Sequence, residues 1–260
     1  MEIIQNFKIG VLIPCYNVEK TIFNSLNSFS NRTWDEIDLM LLIDNCSTDS
    51  TIKFINKFIN KYPSKKNKIK IIQNNTNLGL GGSQKRGYDF WLKNKFTHSM
   101  VIHSDLQCDP EKIVSDFILN LKKRVKLDII FASRFHKNSI LTGYSFLRVL
   151  VNKFFNFLTH ILTSVKNSDS GCGIVFYNNK ALETIDYKKL TNGPQFNPQI
   201  NILLGRNKNL IIEEIPLSWK DSEAGSSINA IKYCYRLLIF LFIFRINLIF
   251  GKTSFFFYKK

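Results

Sequence analysis

Cysteine is sparse in this chain, and the few that occur are scattered. Cys15, Cys46, Cys108, Cys172 and Cys234 are odd in number, far apart and without a Cys-x-x-Cys pair. That spacing excludes a disulfide framework and an ordinary zinc site, and free thiols point to a reducing, cytoplasmic setting. The four histidines show no metal-ligand spacing, and there is no His-Glu-x-x-His helix or Gly-x-Ser-x-Gly elbow. No Gly-Lys-Ser/Thr follows the one glycine-rich stretch, which excludes a P-loop. Acidic side chains are outnumbered, 20 Asp and Glu against 36 Lys and Arg. The N-terminus carries Glu2 and moves straight into a strand-like run, which is not a signal-peptide pattern. The most apolar stretch, 237–250, is interrupted by Arg245 and falls short of a spanning helix, which needs about 20 apolar residues.

What is present is enough for a sizeable core. The chain has 260 residues, of which 45% are hydrophobic, so disorder is not expected. A net charge of +16 favours anionic partners: nucleic acid, an acidic membrane surface or phosphorylated substrates. The lysines are dispersed, however, and a general compositional bias explains them equally well. Aromatic and basic residues do not interleave in the manner of RNA-binding surfaces, so nucleic acid is not an expected partner.

The first half of the chain alternates between two periods. Strands are predicted at 8–14, 38–44, 69–73, 99–104 and 127–133, with helices at 18–29, 48–62, 82–95 and from Pro110 to near Arg124. Such alternation indicates βαβ units and an α/β fold with a largely parallel sheet. Ligands then sit outside the carboxyl ends of the strands, where Pro14, Asp44 and Asp105 fall. The second half differs. A Phe-rich helix is predicted at 144–165, strands at 173–177 and 210–216, and a highly apolar segment edged with Arg and Lys at 233–260. The expected division is a catalytic unit over 1–227 and an apolar helical segment over 228–260. The alternatives for the apolar helices are a membrane-interfacial position or burial as core or dimer helices.

Three stretches offer chemistry. In "IDNCSTDST" (43–51), Asp44 ends an apolar run; capping of the next helix by Ser47, Thr48 or Asp49 explains the polar cluster but not Asp44. In "NNTNLGLGGSQKRG" (74–87), Gly79, Gly81 and Gly82 suit either close approach to a ligand or a turn opening a helix. In "VIHSDLQCDP" (101–110), His103, Asp105 and Gln107 suit a hard divalent ion holding a diphosphate. Asp109 and Pro110 there read as an N-cap and first helical position.

Taken in order, "IPCYN", "IDNCSTDST", "NLGLGGSQKRG", "SDLQCDP" and "ASRF" at successive strand ends resemble family 2 glycosyltransferases, in the dolichol-phosphate mannosyltransferase-like branch. "SDSGCGIVFY" (168–177), "NPQINIL" (197–203) and "EEIPLSW" (213–219) continue the resemblance, which spans roughly 8–230. It implies a glycosyltransferase A-type nucleotide-binding fold, a nucleoside-diphosphate sugar donor, and inverting hexosyl transfer with Mg²⁺ or Mn²⁺. Carried over by position, Pro14, Tyr16, Glu19 and Asp44 would line the base and ribose, and Gly79 would also face the donor. Asp105, Gln107 and His103 would hold the metal and diphosphate. Arg134 would reach phosphate, and Asp169 with Gly173 would shape the sugar or acceptor pocket.

Some positions depart from the pattern. His103 stands where the family often has an acid, as does Gln199. The late Arg-x-x-Gly-x-Ser-Lys pattern is "SEAGSSI" (222–228) here, without its Arg and Lys, with Lys220 as a substitute. A polyprenyl-phosphate acceptor needs no general base, whereas a hydroxyl acceptor does; Asp169 is the one candidate base. The resemblance therefore implies transfer to a polyprenyl phosphate on the cytoplasmic face of a membrane, with the chain peripheral to it. The alternatives are a hydroxyl of a glycolipid or surface polysaccharide as acceptor, or a non-catalytic nucleotide-binding homologue.

Overall fold

A computed structural model describes residues 7–124, 126–221 and 229–251. The chain runs β1 (Ile9–Cys15), α1 (Ile22–Asn27), α2 (Asn31–Glu36), β2 (Leu39–Asp44), α3 (Thr51–Lys61), β3 (Ile69–Gln73), α4 (Gly79–Lys93), β4 (His98–Val101) and α5 (Pro110–Lys123). It continues β5 (Ile129–Ser133), β6 (Leu141–Thr142), α6 (Phe146–Thr163), β7 (Val175–Asn178), α7 (Asn179–Glu183), α8 (Phe196–Gly205), β8 (Ile212–Pro216), β9 (Trp219–Lys220) and α9 (Ala230–Ile249).

Seven strands form one sheet in the order β3-β2-β1-β4-β7-β5-β8. All neighbours are parallel except β7, which runs antiparallel between β4 and β5. The short strands β6 and β9 pair with each other beside it. Period-2 alternation sends side chains to both faces, and both faces are covered. Val11, Ile13, Met40 and Leu42 pack with residues of α1, α2, α3 and α5. Leu12, Leu41, Ile43 and Val101 pack with Tyr88 and Trp91 of α4 and with α7, α8 and α9. Strands buried on both faces read as the continuous apolar runs seen in the sequence.

The structure departs from expectation in four places. The helix predicted over 18–29 is shorter, Ile22–Asn27, and an unpredicted second helix, α2, follows it, N-capped by Ser30, which accepts the Thr33 N–H at 3.1 Å. Strand β4 stops at Val101, and one further bond, Ile102 N–H to the Leu12 carbonyl at 3.0 Å, ends its pairing with β1. Asp105 thus lies in a loop after the strand. α8 had no periodic signal because Phe196 to Leu204 are all buried, leaving no polar face to alternate with. Finally, the apolar C-terminal helix is not merely appended: Leu237, Phe240, Leu241 and Phe244 of α9 belong to the core. The expected signature at 222–228 lies outside the described residues.

Candidate active site

Four loops converge at the carboxyl ends of β1, β2, β3 and β4. The first two are stitched together by side chains of both. Glu19 N–H donates to Asp49 Oδ2 at 3.1 Å, and Ser50 N–H returns a bond to Glu19 Oε2 at 2.9 Å. Val18 N–H donates to Thr51 Oγ1, whose hydroxyl donates to Asp49 Oδ1 at 2.6 Å. Burial opposes ionisation of Asp49, but the bonds from Thr51 and the Glu19 N–H outweigh it and hold its pKa below the ordinary value. Glu19, expected to line a base, thus spends its carboxylate joining the loops. Asp49 is likewise a loop brace rather than a simple cap.

Asp44 ends β2, buried, with its carboxylate accepting the Ser47 N–H at 3.3 Å. Pro14 is half-buried beside it in β1, and Tyr16 is exposed at the mouth. Next to Asp44 lies an amide cluster that the sequence reading passed over. Asn45 Oδ1 accepts from Asn74 Nδ2 at 2.9 Å and from Leu78 N–H at 2.8 Å, while Asn45 Nδ2 donates to Asn77 Oδ1 at 2.8 Å. Arg86 reaches back to Asn74 and to the Gln73 carbonyl. The only local signal for it was the density of Asn in 74–77.

The glycine stretch has its own chain as partner. Gly81 N–H donates to the Asn192 carbonyl at 2.8 Å, and Gly79 N–H to Asn77 Oδ1 at 2.8 Å. A Cβ on Gly79, whose φ is +75°, would lie 2.4 Å from that Asn192 oxygen. The close approach that Gly79 and Gly81 allow here is that of the turn before α8. Gln199 fixes the same turn, accepting the Thr191 N–H at 3.0 Å.

Beyond β4, Asp105 Oδ1 accepts the Gln107 N–H at 3.2 Å across Leu106, which adopts φ +58°. Gln107 Nε2 points to Asp221 Oδ1 at 3.4 Å, and its carbonyl accepts the Lys220 N–H at 2.7 Å. Asp221 in turn pairs with Arg148 on α6. Burial lowers the pKa of His103, Asp105 opposing and Arg134 adding to the effect. His103 Nε2 would lie 2.8 Å from a Cβ on Gly173, and Asn197 Nδ2 2.3 Å, so a side chain there would have to displace one or both of them. No cluster of three or more His, Cys, Asp or Glu side chains suited to a metal occurs among the described residues. Asp105 offers the hard oxygen that Mg²⁺ or Mn²⁺ takes, and such ions are often held by one or two carboxylates plus the substrate's phosphates. That donor set fits an ion shared with a diphosphate, not a cage built by protein alone. Gln107, turned toward Asp221, is placed as a brace for Asp105.

Arg134 follows β5 and is clamped. Its Nε donates to Asp169 Oδ2 at 2.7 Å, Nη2 to Oδ1 at 2.8 Å, and its backbone N–H to Oδ2 at 3.0 Å. Nη1 donates to the Tyr144 hydroxyl at 3.2 Å, and the Trp219 ring lies 5.5 Å away. Burial works against the guanidinium charge, but Asp169 outweighs it and holds Arg134 charged above its ordinary range. Both oxygens of Asp169, the candidate base, accept N–H bonds from Arg134.

Residues 10–186 match the glycosyl transferase family 2 pattern. The chain belongs to that family. It is 24% identical over 233 residues to the dolichyl-phosphate beta-glucosyltransferase of Dictyostelium discoideum, covering 85% of this chain and 69% of that protein. It is 26% identical over 249 residues to the Saccharomyces cerevisiae enzyme of the same name, covering 89% and 73%. Among solved structures it resembles glucosyl-3-phosphoglycerate synthase from Mycobacterium tuberculosis in complex with Mn²⁺, uridine diphosphate and phosphoglyceric acid. The TM-score is 0.65 at 14% identity, over 92% of this chain and 78% of that one. That likeness speaks to the fold: a glycosyltransferase A-like α/β fold with a mostly parallel central sheet. This chain is a glycosyltransferase by its family and its sequence relatives.

Proposed function

We propose that this family 2 glycosyltransferase transfers a sugar, with inversion, from a nucleoside-diphosphate sugar to a polyprenyl phosphate at the cytoplasmic face of a membrane. The observation that carries the acceptor class is the occupied Asp169 carboxylate. A hydroxyl acceptor requires a base to take its proton. A phosphate monoester is already largely ionised near neutral pH, with a second pKa of about 6, and needs none. The two relatives named for dolichyl-phosphate glucosylation support the same class.

In this reading, Pro14, Tyr16 and Asp44 bind the base and ribose, with Glu19 and the Asn45 cluster holding their loops in place. Asp105 takes the diphosphate side, braced by Gln107. Asp105 would hold a Mg²⁺ or Mn²⁺ ion, which would supply charge neutralisation for the donor's diphosphate. Arg134, fixed by Asp169, presents rigid positive charge toward phosphate. An acceptor phosphate oxygen forms the new bond to the anomeric carbon as the bond to the donor's β-phosphate oxygen breaks. The electron pair leaves with the nucleoside diphosphate. Gly173, between His103 and Asn197, keeps the sugar and acceptor side open.

Membrane contact is read from α6 and α9, which pack against each other. Most of the large apolar side chains exposed among the described residues lie on these two helices, including Phe146, Leu147 and Phe157 on α6 and Ile231, Phe242 and Ile249 on α9. Exposed Lys153, Lys232 and Arg245 accompany them. Apolar faces with basic flanks suit the headgroup region of an anionic leaflet. No helix among the described residues is long and apolar enough to cross a membrane. Five unpaired thiols agree with a cytoplasmic position.

The test is nucleoside-diphosphate release from a panel of nucleotide sugars, with Mn²⁺ or chelator, with and without polyprenyl phosphate. Release that requires both metal and lipid phosphate is the expected result. Release indifferent to the lipid redirects the acceptor to a hydroxyl, and binding without release with every donor makes the chain a non-catalytic homologue.

A further inference from the structure

The turn that caps the glycine stretch has a second face, turned toward α9. Between them lies a groove of about 390 Å³ lined by Lys189, Thr191, Gln199, Arg236, Phe240 and Ile243, among others. Its lining has two kinds of chemistry. Lys189 and Arg236 are exposed cations, and none of the described lining residues is acidic. Lys189 meets Asp186 at 3.2 Å but stays half in solvent, and Arg236 has no acidic partner among the described residues. The α9 wall is apolar: Phe240 is buried at its base, while Ile239 and Ile243 are exposed and continue into the exposed Ile246. The floor is rigid, because Gln199 holds the Thr191 N–H. None of Asp44, Asp105, Arg134 or Asp169 lines the groove.

Two cations beside an apolar strip complement an anionic amphiphile: a phosphodiester for the cations and hydrocarbon for the isoleucines. Resting on the membrane reading above, we propose that this groove is a headgroup site for an anionic phospholipid, with Lys189 and Arg236 on its phosphate and Ile239 and Ile243 at the acyl side. The site is joined to the donor end of the sheet. Lys85 on α4 donates from Nζ to the carbonyls of Lys188 and Leu190, and the Asn192 carbonyl accepts from Gly81 at the start of the same helix. A lipid seated on the 189–191 turn would therefore anchor the element on which the nucleotide-side loop rests.

The experiment is co-sedimentation of the full chain with phosphatidylcholine vesicles, with and without phosphatidylglycerol. Wild type is compared with Lys189→Gln/Arg236→Gln and with a charge-matched control, Lys53→Gln/Lys66→Gln, which alters exposed lysines elsewhere. The expected result is tighter binding to the phosphatidylglycerol vesicles, about tenfold weakened by the groove variant and unchanged in the control. Equal weakening in both variants means diffuse attraction by a basic protein and overturns the site. Equal wild-type binding to both vesicles overturns it while leaving the membrane reading intact. No binding to either vesicle removes the membrane reading itself. A groove variant that changes oligomeric state but not vesicle affinity assigns the groove to a second copy of the chain and overturns the lipid site.

Discussion

Arg134 and Asp169 form a two-pronged buried pair, Nε to Oδ2 at 2.7 Å and Nη2 to Oδ1 at 2.8 Å, in which the aspartate is essentially inaccessible and the arginine nearly so. The pair joins the end of β5 to the segment before β7, two pieces of chain brought together only by folding. Removing one partner leaves the other charge buried and alone. Asp169→Asn is expected to lower stability by about 3–5 kcal/mol, measured by urea unfolding, and to lose activity with it. Arg134→Lys should fare little better, since an ammonium cannot reproduce the fork. A fully stable Asp169→Asn protein with reduced turnover would return Asp169 to the role of base.

Asp105 should behave in the opposite way. It sits in a loop after β4, outside the core, so Asp105→Asn should leave the unfolding midpoint in place. Nucleoside-diphosphate release should fall by at least about a hundredfold, as expected where charge stabilisation at the leaving group is lost. An active Asp105→Asn enzyme would remove the diphosphate assignment.

Gly79→Ala tests the glycine turn. The substitution places a Cβ at φ +75° and 2.4 Å from a backbone oxygen. A loss of about 1–3 kcal/mol in stability is expected, read from thermal or urea unfolding. A weaker donor affinity with unchanged stability would instead restore a ligand role to this glycine.

His98 lies buried in β4, stacked 5.3 Å from the Phe176 ring. Burial depresses its pKa to about 4 from an ordinary 6.5, with Asp128 opposing. The neutral ring therefore favours the fold above about pH 6.5, and that contribution is lost as pH falls toward 4, because the unfolded chain takes up the proton first. The loss approaches about 3 kcal/mol by that shift. Unfolding free energy measured between pH 7 and 4 should fall more steeply for wild type than for His98→Gln.

The apolar faces of α6 and α9 give a fifth expectation. Phe157→Asp together with Phe242→Asp should abolish vesicle binding, since both side chains are exposed, while release with a short, water-soluble lipid phosphate is retained. Loss of solubility or fold in this variant, seen by circular dichroism, would show these faces to be buried in an assembly.

Much of the frame was legible in the residues. Strands β1, β2 and β5 are largely buried and announce themselves as apolar runs, and Asp44 stands at the end of one of them. Asp109 and Pro110 start α5 as expected, the Asp109 carboxylate accepting the Lys112 N–H at 3.2 Å. These features depend on neighbours in the chain, and local sequence carries local physics. α8 was not legible, because a helix buried all round has no polar stripe. α2, which lies beyond the first predicted helix, starts on one serine hydroxyl.

The sequence by itself determined the order of the elements and which polar residues would stand at the ends of strands, since both follow from hydrophobic period and chain direction. Only the tertiary structure decided what those residues touch. Arg134 meets Asp169 across 35 positions, Gln107 meets Asp221 across 114, and Gly81 meets the Asn192 carbonyl. Whether a carboxylate is a base or a clamp, and whether a glycine turn faces a ligand or its own chain, depends on hydrogen-bond partners supplied from distant segments. Those partners are selected by packing two layers of helices on one sheet, not by any local preference.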